Sequence, residues 1–390
     1  MNLRPLRFLL PFVVSANLCL ARDYDNASDI RSLKECESMS TQESQIVEAV
    51  RAKYSLPAMG AASLAQGCVN FTAVSGVRHL GSSERVLKSD SWHLGSNTKA
   101  MTAALIAMLI EEKKFSWDTP ISSLLGDLKI DPSYNQTTVE MLLAHQGGVP
   151  EDLISIENGK LFEELFNPAI DVREGRALVA KRILGVPAQY EPGTKFGYSN
   201  AGYIILGHIM ERIVGCSWEE YMRKRLFAPL AMASCSFGSN NKNDPWGHGL
   251  DTERRTFVAV EPGFFADNPP TLGPAGTVRC SLFDYAKYLQ WNIDGLRGRA
   301  TLLTENSFKK LHSPYSSENA YSRGGWMVIE RGWANGFASM HSGSNTMNFL
   351  IAWIAPEIEK AFIATTNAGS DEAWRAANEV IAEMVKTNGL

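Results

Sequence analysis

Strand-like patterns lie at both ends of this 390-residue chain, whereas helical patterns fill its middle. Near the N-terminus, a helical pattern over residues 42–52 precedes two apolar runs, 58–65 and 68–75, which are joined by Gln66 and Gly67. The C-terminal third has four further strand-like runs and a last helical pattern, over residues 325–331, 339–341, 349–355, 361–366 and 371–386. We therefore predict an α/β fold with an antiparallel sheet that is built from both chain ends, is flanked by helices and carries an inserted, mainly helical subdomain.

Capping signals mark helix starts along the chain. Thr137, Ser217 and Ser281 each stand three residues before a carboxylate, which is the pattern of a helix N-terminus. The glycine pair at 147–148 and the Ala-Pro pair at 228–229 predict where the first two of these helices end.

Asn, Pro and Gly accumulate at residues 240–245 and 262–276, which predicts surface loops near a subdomain edge. We place the sheet part at about 42–110 and 265–390 and the helical part at about 111–264. The whole of this region is predicted to form a single functional domain.

The first 21 residues have the pattern of a secretory signal. Arg4 and Arg7 form a basic lead, residues 8–16 are apolar, and small residues follow. The apolar run is too short to span a bilayer. We predict cleavage near Ala21 and a mature domain over residues 22–390 that is exported to the periplasm or secreted, soluble and without stable membrane insertion. The alternative is a buried or interfacial N-terminal helix.

The composition excludes several functional classes. With a formal net charge of −4 and no basic run, the chain has no electrostatic footprint for nucleic acid. The histidines, cysteines and carboxylates form no cluster with metal-ligand spacing, so we expect neither a metal nor another cofactor. Signal cleavage leaves an odd number of cysteines, whose pairing the sequence does not determine: Cys36, Cys68, Cys216, Cys235 and Cys280.

Ser96 and Lys99 are three residues apart at the start of a long apolar helical pattern. This spacing places a hydroxyl and an amine on one helical face. A partly desolvated lysine with a lowered pKa can take the proton of a serine that attacks a carbonyl. The sequence therefore predicts a serine nucleophile with a lysine base.

The spacing alone is not specific, because Ser239 with Lys242 and Ser307 with Lys310 share it. The first pair leads into an Asn-rich loop and the second into a short run that ends at Pro314. A helix cap followed by a solvated lysine explains most such pairs. A second matching motif is needed to favour catalysis.

Tyr198 and Asn200 stand between a loop and an apolar helical pattern, where both side chains can project into a cleft. A phenol near an ammonium ionises more easily, so Tyr198 beside Lys99 could share the proton transfers. The Asn200 amide could orient Lys99 and bind a substrate carbonyl. For Tyr198 taken alone, the alternative is a core tyrosine with a satisfied hydroxyl.

A third motif, HSGS at residues 341–344, lies on a strand-like segment. The edge of this strand could lie along a substrate, with the Ser344 N–H joining the Ser96 N–H around a developing oxyanion. His341, Gly343 and Ser344 are thus candidate substrate contacts. His145 also precedes a glycine by two residues, but it stands at a helix end, where a C-terminal cap is the simpler interpretation.

Four segments resemble β-lactamase-related serine hydrolases, a group with class C β-lactamases, D-alanyl-D-alanine peptidases and family VIII carboxylesterases. In chain order, they are WHLGSNTK (92–99), LLAHQGGVP (142–150), PGTKFGYSN (192–200) and HSG (341–343). The similarity runs from about residue 45 to the C-terminus. The resemblance implies that Ser96 is the acylated nucleophile, that Lys99 and Tyr198 transfer protons, and that Asn200 orients the substrate opposite the His341 strand.

His341 departs from the class C pattern, which usually has a lysine in the third motif. A lysine is a fixed positive charge for a substrate carboxylate, whereas histidine is largely neutral at pH 7. We therefore rank hydrolysis of a small ester or amide first, D-peptide cleavage second and β-lactam hydrolysis third.

Two other interpretations compete with this one. Ser199 lies in GYSNA (197–201), which approaches a nucleophile elbow but lacks its second glycine. A non-catalytic binder of cell-wall peptide or acyl ligand would be expected to have lost one of four residues, namely Ser96, Lys99, Tyr198 and Asn200. All four are present, which favours an enzyme whose partner is a small ester, amide or peptide; the oligomeric state stays open.

Overall fold

A computed structural model describes residues 33–35, 41–151, 153–154 and 156–390. The predicted signal segment, residues 1–21, and Cys36 lie outside this part of the chain. In the described residues, no helix combines the length and the apolar character that crossing a membrane requires.

The helices, in chain order, are α1 (Thr41–Lys53), α2 (Thr98–Glu111), α3 (Ile121–Leu124), α4 (Val139–Leu143), α5 (Lys160–Leu165), α6 (Val172–Leu184), α7 (Asn200–Val214), α8 (Trp218–Met222), α9 (Gly273–Gly276), α10 (Leu282–Leu296), α11 (Glu305–Leu311) and α12 (Asp371–Thr387). The strands are β1 (Lys34–Glu35), β2 (Ala58–Ala65), β3 (Cys68–Gly76), β4 (Ser91–His93), β5 (Ser236–Phe237), β6 (His248–Asp251), β7 (Thr256–Ala259), β8 (Val278–Ser281), β9 (Pro314–Ser316), β10 (Asn319–Ser322), β11 (Met327–Arg331), β12 (Gly336–Ser344), β13 (Phe349–Ala355) and β14 (Lys360–Thr366).

Nine strands form one sheet in the order β1-β3-β2-β14-β13-β12-β11-β10-β9. The pairs are antiparallel except β1 with β3. The two chain ends meet where β14 pairs with β2, in a register that runs from Lys360 opposite Ala65 to Thr366 opposite Met59. The predicted sheet built from both ends is therefore confirmed.

Helices cover both faces of this sheet. Helices α1 and α12 pack on one face and α10 on the other. Strand β14 shows why, because Ala361 and Ile363 lie in one core while Phe362 and Ala364 lie in the other. Alternate residues of a strand point to opposite faces, so an apolar run without alternation must be covered on both.

The inserted part contains α3 to α8 together with the short strands β5, β6 and β7, all between residues 111 and 264. Strand β5 pairs with β8, which in turn pairs with β4, so a small three-stranded sheet crosses into the other part of the chain. Cys235 and Cys280 form a disulfide at this sheet, and Cys68 is also disulfide-bonded.

Helix α4 differs from its prediction at both ends. Thr138, rather than Thr137, caps α4 by accepting from Met141 N–H, while Thr137 instead donates to the Gly147 carbonyl. The helix ends before the glycine pair, because His145 adopts a left-handed conformation with φ of 59°. The predicted caps at Ser217 and Ser281 are confirmed.

Candidate active site

Ser96 lies in a short 3₁₀ turn, Gly95–Asn97, that leads into α2. The Thr98 hydroxyl donates to the Gly95 carbonyl at 2.8 Å and accepts from Val278 N–H at 3.1 Å. Twelve residues of α2 are buried, so the helix cannot shift without disturbing the core. The turn therefore presents the Ser96 hydroxyl from a fixed backbone.

Lys99 lies one turn along, and its side chain is completely buried. Its Nζ is 3.0 Å from Ser96 Oγ, 2.8 Å from Asn200 Oδ1 and 2.6 Å from the Ala275 carbonyl oxygen. The predicted contact between Ser96 and Lys99 is thus present in the structure. The Ala275 carbonyl is a third partner that sequence reasoning did not identify.

Burial lowers the pKa of Lys99 well below its usual range, because the ammonium loses its hydration. A free amine has two N–H groups and one lone pair. It can donate to Asn200 and Ala275 while the lone pair faces the Ser96 hydroxyl. This arrangement suits removal of the Ser96 proton.

Tyr198 stacks beside this amine, with Lys99 Nζ 4.8 Å from the centre of its ring. Burial raises the pKa of Tyr198 to about 12, although a hydrogen bond to Ser96 acts in the opposite direction. The expectation that Tyr198 ionises easily is therefore wrong. Desolvation opposes the phenolate, and an amine held without its proton supplies little positive charge. Tyr198 is suited to relay a proton rather than to act as a phenolate base.

Asn200 opens α7, and Ser199 caps that helix. The Ser199 hydroxyl accepts from Gly202 N–H at 3.1 Å and donates to the Pro150 carbonyl. Because this hydroxyl is buried and engaged in capping, the structure does not present Ser199 as a nucleophile. The side chain of Asn200 instead reaches Lys99.

Strand β12 forms the opposite wall. It pairs with β11 only up to Met340, so its last four residues are open on that edge while β13 covers the other. A Cβ at Gly343 would overlap Ser96 N, and a Cβ at Gly95 would overlap Ser344 N. The two backbones that carry Ser96 and Ser344 therefore lie in direct contact.

His341 is only 3% exposed. Its Nδ1 lies 2.8 Å from the Ser342 carbonyl, and Nε2 is buried without a hydrogen-bond partner. Burial lowers the pKa of His341 to about 3, because the charged ring would lose its hydration. The ring is therefore neutral at pH 7, as the sequence predicts.

A cleft of about 410 Å³ opens between Ser96 and the β12 edge. Its lining carries aromatic and thioether side chains and no acidic or strongly basic one. The lining residues are Ser96, Phe196, Tyr198, Tyr321, Gly325, Met327, Met340, His341, Ser342, Gly343, Ser344 and Phe349. In the described part of the chain, no group of histidines, cysteines and carboxylates could hold a metal.

His145 is a site residue that sequence reasoning treated only as a helix cap. Its ring centre is 4.3 Å from that of Tyr198, and its Nδ1 accepts from Ser199 N–H at 2.9 Å. Its carbonyl accepts from Gly197 N–H at 2.8 Å. His145 thus holds the backbone on both sides of Tyr198. Its place inside LLAHQGGVP (142–150) was the available signal.

The other two Ser-x-x-Lys pairs lie elsewhere. Lys242 forms an exposed ion pair with Glu261, and Lys310 forms a partly exposed one with Glu140. Neither amine has the burial that lowers the pKa of Lys99.

Comparisons with known proteins show the family and the fold to which the chain is similar. The model of the Beta-lactamase family matches residues 44–386. Protein flp of Staphylococcus aureus is 24% identical over 302 residues, which cover 75% of this chain and 56% of that protein. The chain thus spans little more than half the length of such curated relatives.

Several solved structures are similar in fold. The octameric penicillin-binding protein homologue from Pyrococcus abyssi superposes with a TM-score of 0.73 at 24% identity, over 88% of this chain and 77% of that one. The D-amino acid amidase from Ochrobactrum anthropi SV3 superposes with a TM-score of 0.67 at 17% identity, over 89% of this chain and 100% of that one. At these identities the likeness concerns the fold, and it confirms the predicted fold class.

Proposed function

The chain belongs to the Beta-lactamase family, and from this premise we propose that it is a serine hydrolase that forms an acyl-enzyme on Ser96. One observation carries the proposal: the buried Lys99 amine lies 3.0 Å from Ser96 Oγ. A lysine in water is protonated at neutral pH and is no base. Desolvation without a carboxylate partner favours the free amine, which nucleophilic catalysis by serine needs.

The proposed reaction has two steps. Ser96 Oγ attacks the substrate carbonyl carbon as its proton passes to Lys99 Nζ, and the carbonyl oxygen becomes an oxyanion beside Ser96 N–H and Ser344 N–H. The bond to the leaving group then breaks, and the proton reaches that group through the Tyr198 hydroxyl. Water attacks the acyl-enzyme, gives up its proton to the same pair and releases the acid while Ser96 regains its hydrogen.

We propose an uncharged ester or small amide as the substrate. The cleft lining carries no fixed charge, and a neutral His341 supplies no cation for a carboxylate. A D-amino-acid amide or peptide is the second candidate, because the similar structure from Ochrobactrum anthropi is a D-amino acid amidase. A β-lactam ranks third, since β-lactam antibiotics carry a carboxylate that an apolar cleft leaves unpaired.

A non-catalytic binder has no need for a desolvated lysine. Burying an amine costs stability whatever its role, and a lysine that acts as a base is a function that needs the depressed pKa which burial produces. Lys99 contacts Ser96, Tyr198 and Asn200, which supports an enzyme. Export remains a proposal from the sequence, and the mature N-terminus of the native protein, measured by mass spectrometry, tests it.

A substrate panel tests the proposed function. Short acyl esters, D-alanyl peptides and a chromogenic cephalosporin are assayed with the wild type, Ser96→Ala and Ser239→Ala. Ser239 is the matched control because it shares the Ser-x-x-Lys spacing but lies outside the cleft. We expect turnover of neutral esters in the wild type and Ser239→Ala only. Equal turnover by Ser96→Ala would contradict the proposal.

A further inference from the structure

A buried carboxylate links the two backbone segments that meet in the active site. Asp267 Oδ2 lies 2.9 Å from His93 Nε2, and Asp267 Oδ1 accepts from Asn345 Nδ2 at 2.9 Å. The three side chains are 5%, 1% and 4% exposed. The large majority of buried polar groups in proteins are hydrogen-bonded, and here both carboxylate oxygens are engaged.

His93 carries this link to the Ser96 side. Its Nδ1 accepts from Gly95 N–H at 3.1 Å. The ring proton therefore sits on Nε2 and points at Asp267. Gly95 directly precedes Ser96, so the position of the Ser96 N–H depends on the orientation of the imidazole.

Asn345 carries the link to the other side. It directly follows Ser344, and its Oδ1 accepts from Met347 N–H at 3.2 Å and from Asn348 Nδ2 at 3.1 Å. The side chain thus fixes the turn that follows β12. The position of the Ser344 N–H depends on this turn.

We propose that Asp267 and His93 are positioning residues that set the separation between the Ser96 N–H and the Ser344 N–H. The inference rests on the proposed acyl-enzyme function. Two N–H groups stabilise an oxyanion only when both point at the place where the charge develops, and a shift of about 1 Å can cost about 10²-fold in rate. A series of hydrogen bonds connects the two donors, separately from the direct backbone contact. It runs from Gly95 through His93 and Asp267 to Asn345.

The role is geometric rather than electrostatic. A negative carboxylate near a developing oxyanion would oppose it. Asp267 reaches neither the cleft lining nor Ser96, and its oxygens are directed at His93 and Asn345. Its effect on the reaction must therefore pass through the backbone.

Asp267→Asn tests this inference with little change of shape. The amide has one acceptor oxygen, so it can satisfy either His93 or Asn345, while its NH2 faces the other donor. We expect kcat for a neutral ester to fall by about 10- to 100-fold with KM within about twofold. The infrared carbonyl band of the acyl-enzyme should move to higher frequency, because weaker hydrogen bonding leaves the C=O bond stronger.

Asp284→Asn is the matched control. Asp284 is also 5% exposed and accepts from Ser234 N–H at 2.7 Å, but it lies at the start of α10 outside the cleft. The Asp284→Asn substitution should lower the melting temperature without shifting the carbonyl band of the acyl-enzyme. A merely structural role for Asp267 would give this same pattern and would overturn the inference.

Asn345→Ala is the second variant, because it removes one link and leaves Asp267 with His93. If Asp267→Asn does not fold, Asn345→Ala decides: a shifted band and a lower kcat support the inference, and unchanged values overturn it. Failure of the proposed function looks different. If the proposed function is wrong, the wild-type protein forms no acyl adduct on Ser96. If the variants form the adduct and its carbonyl band is unshifted, only the positioning role is overturned.

Discussion

Lys99 can act as a base only without its proton, and its surroundings favour that form. The groups in hydrogen-bond contact with Nζ are a hydroxyl, an amide oxygen and a peptide carbonyl. A carboxylate in the same place would stabilise the ammonium and raise the pKa. Desolvation acts alone here and lowers it.

The pH dependence of activity follows from this residue. Lys99 is protonated, and inactive as a base, below its folded-state pKa, so kcat/KM for a neutral ester should fall as the pH falls through that value. The plateau should be reached well below 10.5, the ordinary lysine value. A steady-state profile of kcat/KM against pH measures this. Tyr198→Phe is the control, because it should slow the reaction without changing the pH at which kcat/KM begins to fall. A plateau that begins only near pH 10.5 would contradict the depressed pKa.

Lys99→Arg separates base chemistry from charge. Arginine keeps a positive charge but does not give up its proton in a protein. We expect the variant to be nearly inactive, as measured by kcat on the best ester. Retention of more than about a tenth of wild-type kcat, about 1.4 kcal/mol, would reduce Lys99 to an electrostatic role.

At the scale of elements, the site depends on how closely the Ser96 turn approaches β12. Gly343 has backbone atoms of Ser96 and Leu94 where a Cβ would stand. Backbone cannot move aside as a flexible side chain can. The glycine is therefore required by packing rather than by its conformational freedom.

Gly343→Ala should separate the two walls. We expect kcat/KM to fall by about 10²-fold, because the two N–H donors no longer converge. Gly249→Ala in β6 is the control, since no atom lies within 4 Å of the added methyl group. An unchanged kcat/KM in Gly343→Ala would show that the Ser96 turn and β12 can move apart without loss of activity.

The long apolar strands of the large sheet were predicted because their signal is local, whereas β1 and β4 to β10 were not predicted and β12 is longer than the predicted run at 339–341. The runs at 58–65 and 349–355 are apolar and bounded by turn residues, and β2 and β13 have those bounds. The cap of α4 was misplaced because Thr137 and Thr138 are equally suited by type, and only tertiary contacts distinguish them.

The candidate site was predictable where spacing or a motif reported it, as for Ser96 with Lys99 and for Tyr198 with Asn200. The structure brings these four together, and it places Gly343 against Ser96. The His93 to Asp267 bond could not be predicted, because the two residues are 174 positions apart and one stands in a loop without periodicity. The low ionisability of Tyr198 also required knowledge of its burial.

At the scale of the whole molecule, distant parts of the chain are joined covalently as well as by the sheet. The Cys235 to Cys280 disulfide closes a loop of 45 residues between β8 and the segment that leads into β5. A cross-link of this kind restricts the unfolded chain and stabilises the folded one.

The variant Cys235→Ala/Cys280→Ala should therefore be less stable. We expect the free energy of unfolding to fall by about 2–4 kcal/mol, with the active site intact at low temperature. Chemical denaturation under non-reducing conditions measures the change in the free energy of unfolding. Ester turnover at about 10 °C shows whether the active site is intact. An unchanged midpoint would show that the cross-link adds nothing to the packing of the small sheet.

The most direct measurement for the proposed function is covalent labelling of the folded protein with a fluorophosphonate probe, followed by peptide mapping. The geometry around Lys99 predicts one labelled residue, Ser96. Ser96→Ala should lose both the label and turnover, the latter by about 10⁴-fold or more. Persistent labelling of Ser96→Ala, or wild-type labelling at another serine, would contradict the assignment of Ser96 as the nucleophile.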